Sequence, residues 1–139
     1  MAKKTFRCRL ITPEARILDQ DVEHVSLPFH DGLAGILAHH APIVAQLGLG
    51  ELRIDLPEGA SKSYFLEGGF GQFVGDHLTI LAEEAIPTER LSEREAKAEL
   101  DEANARTGTT GDEMRKIVHD RSRAALKAKL ASRVKTAGV

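Results

Sequence analysis

One cysteine, Cys8, stands alone in 139 residues, so no internal disulfide can form, and a reducing compartment is the expected setting. No apolar run approaches the roughly 18 residues that span a bilayer, and the opening MAKKTFRCR is not followed by a signal-like apolar core. Direct membrane insertion is therefore not expected, and any membrane association must come through a partner. The formal net charge is only −2, which gives no global attraction to nucleic acid or to an anionic surface. GxSxG, HExxH and paired-cysteine patterns are missing as well, so no catalytic residue and no metal site is expected. Proline disappears after Pro87. That last absence divides the chain.

What is present is ordinary for a globular protein, with 42% hydrophobic and 29% charged residues. From Thr5 to Ile86, short apolar segments alternate with turn residues at close intervals, as in a sandwich or barrel. Leu52, Ile54 and Leu56 alternate with Arg53 and Asp55, which gives that strand one core face and one wet face. Pro57-Glu58-Gly59 is turn chemistry, and Gly75-Asp76 predicts a tight turn into a strand over 77–82. Gly68-Gly69 predicts a sharp bend or bulge before extended structure resumes at Phe70. Neither Gly68-Gly69-Phe70-Gly71 nor Gly48-Leu49-Gly50 has the residues of a phosphate cradle, so both read as turns.

Beyond Pro87, Ala, Glu, Lys and Arg dominate, which favours helix. Ser92 with Glu95 and Thr110 with Glu113 are capping-box pairs, and the segment 107–111 is a breaker between them, so the tail predicts a helical hairpin. Its apolar stripes are thin. Ala96, Leu100 and Ala103 mark the first helix; Met114, Ile117, Val118, Ala124, Ala125, Ala128 and Ala131, interrupted by Arg121, mark the second. Alanine buries little area, so such a hairpin docks weakly. Charge is uneven: 7 basic and 10 acidic side chains over 1–82, 4 and 10 over 83–113, 8 and 1 over 114–139. Arg115, Lys116, Arg123, Lys127, Lys129 and Arg133, with Leu126 and Leu130, fall on one arc opposite the alanine stripe. Two readings stand, a solvated face or a basic surface with two leucine anchors for an acidic protein partner. Without aromatic or amide readers the arc does not suit nucleic acid.

The most individual stretch is PFHDGLAGILAHHAP, Pro28 to Pro42. Gly32 and Gly35 predict a tight turn feeding a short buried strand, and Pro42 closes it into a surface loop. GLAGILAHHAP, followed by Leu47, Gly50, Ile54 and FLEGGF at 65–70, resembles the epsilon subunit of F-type ATP synthases, the mitochondrial delta counterpart included. ITPEARILDQDVEHVSLP and LTILAEEAIP fit the same family in order, from about Phe6 to Leu91.

The resemblance implies a mainly β plus α chain. A two-sheet β-sandwich of about ten short strands occupies 1–87, and a regulatory two-helix hairpin occupies 88–139. It implies a central-stalk rotor subunit that is not an enzyme by itself. The sandwich would bind the gamma subunit and the membrane c-ring, and the tail would reach the alpha/beta catalytic ring and resist ATP hydrolysis. The implied place is peripheral, at the cytoplasmic face of a bacterial inner membrane. Leu33, His39, His40, Ala41 and Pro42 are the expected ring-facing residues, with an interface and a plain structural role both open for His40. Leu33 stands where some relatives carry an acid facing the ring. Arg115, Lys116, Arg123, Leu126, Lys127, Leu130 and Arg133 are the expected regulatory contacts.

No cofactor is expected. Some family members bind ATP through I/L-D-x-x-R-A, but the positions here read Leu91-Ser92-Glu93-Arg94-Glu95-Ala96. Ser92 replaces the acid, and Glu95 puts a carboxylate where a phosphate needs a guanidinium. Two other classes remain beside this one: a free-standing sandwich adaptor with a basic helical arm, and a small nucleotide sensor.

Overall fold

The computed structural model describes residues 4–137, with side chains through Val134; the outermost ends of the two expected domains, 1–3 and 138–139, lie outside the described residues. Eight strands come first: β1 (Phe6–Ile11), β2 (Arg16–Val22), β3 (His24–Phe29), β4 (Gly32–Leu37), β5 (Ile43–Gln46), β6 (Leu49–Asp55), β7 (Ser61–Val74) and β8 (His77–Pro87). A 3-10 turn at Thr88–Arg90 follows, then α1 (Glu93–Ala105) and α2 (Gly111–Ala137). The chain divides into two compact units, 1–87 and 88–139.

Strand order in the first unit is β2-β1-β8-β7-β6-β3-β4, with β5 paired to β7. β7 is the hub. One of its edges pairs with β8 from Tyr64 to Val74, so the other serves two strands in turn, β6 along 61–67 and β5 along 70–73. Residues 61–67 thus belong with β6, β3 and β4, while 70–74 belong with β5, β8, β1 and β2. Eight strands make the sandwich of which about ten were expected; β7 runs unbroken across the glycines where the sequence suggested two pieces, and β8 runs on past the expected end at 82 to Pro87.

The bend falls at the predicted pair. Gly68 has φ 67° and Gly69 has φ 105°, both left-handed, and a Cβ on Gly69 would lie 1.9 Å from the Leu81 carbonyl oxygen. The crossing between β5 and β6 is hooked to the bend: Leu47 N–H donates to Gly69 O at 2.8 Å and Gly68 N–H to Gly48 O at 3.2 Å. Two other glycines are not the turns expected of them. Gly50 sits inside β6 under Pro28, and Gly71 sits inside β7 against Leu27, Phe29 and Leu47, each where a side chain would collide.

The core is built by alternation. Leu52 and Ile54 of β6 are fully buried while Arg53 is exposed, and Val25 and Leu27 of β3 point inward with them. Val22 faces the same core although it precedes Val25 by an odd number, since the chain bends at Glu23 between β2 and β3. Cys8 is buried in β1, and burial pushes its thiol up to about 12, so it behaves as a small apolar residue.

β4 departs from its expected form. Ile36 is fully buried, but Leu33 and Leu37 are 72% and 57% exposed, because β4 is an edge strand bonded only to β3 and one of its faces is open. The other edge, β2, is guarded instead by charge, with Asp19 accepting from Arg7 at 2.7 Å and lying near Arg9 and Arg16.

If the glycine bend is what lets one ladder serve two layers, Gly69→Ala is expected to cost about 3 kcal/mol, from overpacking plus a left-handed backbone. Gly59→Ala, also at positive φ (99°) but with open space around it, should cost about 1 kcal/mol. Denaturant unfolding of both variants checks this; equal midpoints would refute it.

Candidate functional site

Three surfaces come into question, each built by its own local rules. The first is the end of the sandwich after β4. His39 and His40 lie in the turn that follows it. His39 has φ 68°, its backbone N–H donates to Asp76 Oδ1 at 2.7 Å, and its Nδ1 lies 3.1 Å from Asp76 Oδ2. His40 N–H closes the turn onto Leu37 O at 3.2 Å, and its ring stands edge-on to Phe73 with centroids 5.8 Å apart. Ala41 and Pro42 are exposed. These four residues form one loop. Leu33 is not with them, since it lies beside the His30-Asp31 turn at the other end of β4, about 15 Å away by strand rise.

The second surface carries residues that the sequence reading did not single out. Strand register aligns Phe70 with Leu81 and Leu81 with Ile11, so one apolar row crosses β7, β8 and β1 on the outer face. Phe70 is 57% and Leu81 51% exposed, and Ile11 is half-buried. On these three strands the next row is polar, Gln72, Thr79 and Arg9, and it continues on β5 with the exposed Val44. The signal was an apolar residue at the wet position of an alternating strand, yet only the register shows that three such residues meet.

The third surface is the hairpin. Both N-caps form, but only the second as the full capping box: Glu95 N–H donates to Ser92 Oγ at 3.2 Å, whereas Glu113 N–H donates to Thr110 Oγ1 at 3.1 Å and Glu113 Oε2 accepts in return from the Thr109 and Thr110 amides. The buried line of α2 is turned from the expected alanine face. It runs Ile117, Ala124, Ala131 at heptad spacing against α1, whose Ala96 and Ala103 are buried, whereas Met114, Val118 and Ala125 are exposed. Arg121 does not merely interrupt the stripe. Its Nε donates to Ala103 O at 3.3 Å, giving α1 the cation at its C-terminus that its own last turn lacks. Beside it, Arg106 donates to Asp120 Oδ2 at 2.7 Å.

The rotation divides the basic arc. Arg115, Lys116, Lys129 and Arg133 are exposed, and Arg115 also pairs with Asp112. Arg123 and Lys127 instead lie toward α1, 4.0 and 3.8 Å from Glu99 Oε2, with the Lys127 side chain only 11% exposed. Leu126 is half-buried and Leu130 is 2% exposed. The seven candidate contacts therefore do not form a single open face in the folded hairpin. Ser92, one of the two positions where the nucleotide motif departs, is occupied as a helix cap. Among the described residues, no three His, Cys, Asp or Glu side chains gather closely enough to hold a metal ion, and no helix is long and apolar enough to cross a membrane.

Comparison with known proteins identifies the family. Residues 5–88 match the family profile described as ATP synthase, Delta/Epsilon chain, beta-sandwich domain. The chain is 38% identical over 99 residues to the ATP synthase epsilon chain of Rhodopirellula baltica, covering 71% of this chain and 77% of the relative. It is 31% identical over 131 residues to that of Syntrophomonas wolfei, covering 94% and 93%. A chain of the Euglena gracilis mitochondrial ATP synthase, solved with OSCP, F1 and c-ring, has the same fold at a TM-score of 0.74 and 21% identity, covering all of this chain and 84% of that one.

The second cap has a pH signature. Hydrogen bonds from the Thr109 and Thr110 amides hold the Glu113 carboxyl below the ordinary glutamate range. A depressed value means the bond stabilises α2 above about pH 4.3, the unfolded value, and is lost as pH falls through the folded one. Amide shifts of 110–114 should move through that acid window in the native chain. They should stay flat in Glu113→Gln, which keeps the acceptor without the titration; matching titrations in both would contradict it.

Proposed function

Since this chain belongs to the delta/epsilon family of ATP synthase subunits, we propose that it is a non-catalytic rotor subunit of the central stalk, a β-sandwich foot that clamps the gamma shaft to the membrane c-ring. The Ile11–Leu81–Phe70 row carries this reading. Three aligned apolar side chains standing out from a sheet, rimmed by Arg9, Thr79 and Gln72, have the anatomy of a protein interface, with an apolar centre and a polar edge. We assign the row to gamma and the 38–42 loop to the ring. The role is mechanical: the sandwich transmits torque, and ion flow is coupled to ATP synthesis by the complex. The subunit would sit peripherally at the cytoplasmic face of a bacterial inner membrane, held there by its partners.

The hairpin supports a regulatory part of the proposal. Most of its buried apolar side chains are alanines, with Ile117 and Leu130 the larger ones, and the rest is partly exposed ion pairs, which are worth about 0–1 kcal/mol each and are screened by salt. Docked and open forms then differ by few kcal/mol, within reach of partner binding. In the open form Arg123, Lys127, Leu126 and Leu130 would join Arg115, Lys116 and Arg133 on one surface facing acidic residues of the alpha/beta ring, and slow hydrolysis there. Exchange of Glu99 for the partner's acids would be the electrostatic step.

Capture of gamma by the full chain tests the first assignment. Phe70→Glu with Leu81→Glu should weaken it about a hundredfold or more, while Leu33→Glu, on the other layer, should not. In the reconstituted complex, deleting 107–139 should raise ATP hydrolysis without loss of gamma. Undiminished gamma capture by the double variant would remove the basis of the reading, and unchanged hydrolysis would remove the brake.

A further inference from the structure

The turn joining β7 to β8 makes an unusual choice. Gly75 and Asp76 have φ 56° and 57°, so both central residues of this two-residue hairpin are left-handed. Glycine is the residue that adopts this conformation without strain at the second of those positions. An aspartate accepts a steric cost there that glycine would avoid, and its side chain shows a use for it. Oδ1 accepts the His39 backbone N–H at 2.7 Å, and Oδ2 lies 3.1 Å from His39 Nδ1. His39 is itself at φ 68°, and it and Asp76 are the two non-glycine residues at positive φ among the described residues. Two strained positions, 37 residues apart, hold each other.

The platform beneath this link is fixed. Asp76 O accepts the Arg7 N–H at 3.0 Å, which ties the turn to β1, and Val74 pairs with His77 directly under it. From that base the carboxylate reaches the one point where the chain leaving β4 changes direction. A charge-assisted bond to a backbone N–H outranks a neutral one, and this one acts on the residue whose dihedral sets the course of His40, Ala41 and Pro42. Beyond it, the loop is held by Ala38 packed against the core, His40 N–H on Leu37 O, the His40 ring on Phe73 and the local His40 Nδ1 contact with Ala41 O at 2.6 Å.

We propose that Asp76 is a positioning residue for the 38–42 loop: its carboxylate holds His39 in the left-handed conformation and thereby sets the direction in which His40, Ala41 and Pro42 face a partner. The partner side rests on the reading of this loop as the ring-facing surface. The clamp itself does not. It gives this end of the sandwich a loop of set shape, with the acceptor supplied from a two-residue hairpin that is itself bonded to β1.

Two variants of the full chain separate the clamp from the turn. Asp76→Gly keeps, and eases, the left-handed turn but removes the acceptor; Asp76→Asn tolerates the same backbone and restores an oxygen for the His39 amide. Hydrogen exchange at His39 should quicken about tenfold or more in the glycine variant, as expected for losing a hydrogen bond to a charged group. Amide shifts of 38–42 should move with it, thermal unfolding should stay cooperative, and the asparagine variant should recover both signals. Unchanged exchange and shifts in Asp76→Gly would overturn the proposal, as would failure of Asp76→Asn to recover what glycine loses. The same variants in the reconstituted complex address the partner side. A loosened loop with undiminished ion pumping per ATP would leave the clamp standing and remove the ring-facing reading.

Discussion

A sheet that must belong to two layers at once can do so only if its shared strands change direction without losing their ladder. In this chain β7 and β8 do that, and the steric allowance for it is concentrated in Gly68 and Gly69, where the strand passes within reach of the Leu81 carbonyl. Everything else in the first unit is arranged on that hub. β6 and β5 take successive halves of one edge of β7, the Leu47-Gly48 crossing is hydrogen-bonded to the bend, and Gly71 leaves room for Leu27, Phe29 and Leu47 to meet. The same ladder brings Phe70 beside Leu81, and β1 adds Ile11. The apolar row is thus a product of register, and the turn that ends the ladder is the one that carries Asp76.

The two units are stabilised by different physics, and that difference matches the roles assigned to them. The sandwich has a core of leucine, isoleucine, valine and phenylalanine in a two-sided ladder. The hairpin buries four apolar residues of α2, Ile117, Ala124, Leu130 and Ala131, two of them alanines, and adds a set of ion pairs around Glu99, Arg106 and Asp120. Side-chain hydrogen bonding from Arg106 holds the Asp120 carboxyl below its usual range, so that pair persists at neutral pH. A foot that bears torque needs the first kind of stability. A tail that regulates needs the second, because small free energies are the ones a partner can overturn.

Local chemistry was legible in the sequence, and long-range alignment was not. Both helix caps, the alternation of β6, the turn at Gly59 and the bend at Gly68-Gly69 are decided within a few residues, and the chain states them directly. The strand count was harder, since nothing within FLEGGFGQFV says that pairing with β8 continues across the glycines. Gly50 and Gly71 read as turns because their real neighbours, Pro28 and Leu27, are distant in sequence. On α2 the alanines carry too weak a signal to choose a face, and the choice falls to Ile117 and to α1. Arg121 looked like an interruption until the Ala103 carbonyl appeared beside it. The link from Asp76 to His39 spans 37 residues, and no periodicity announces it.

On the proposed division of labour, the sandwich alone couples the rotor and the tail alone restrains it. An ATP synthase depleted of its epsilon subunit, rebuilt either with the full chain or with the chain ending at Pro87, tests it directly. ATP-driven ion pumping and ATP hydrolysis would be measured on each. Both forms should restore pumping equally, and only the full chain should slow hydrolysis. A shortened chain that folds, as judged by its β-sheet circular dichroism, yet fails to restore pumping would contradict it.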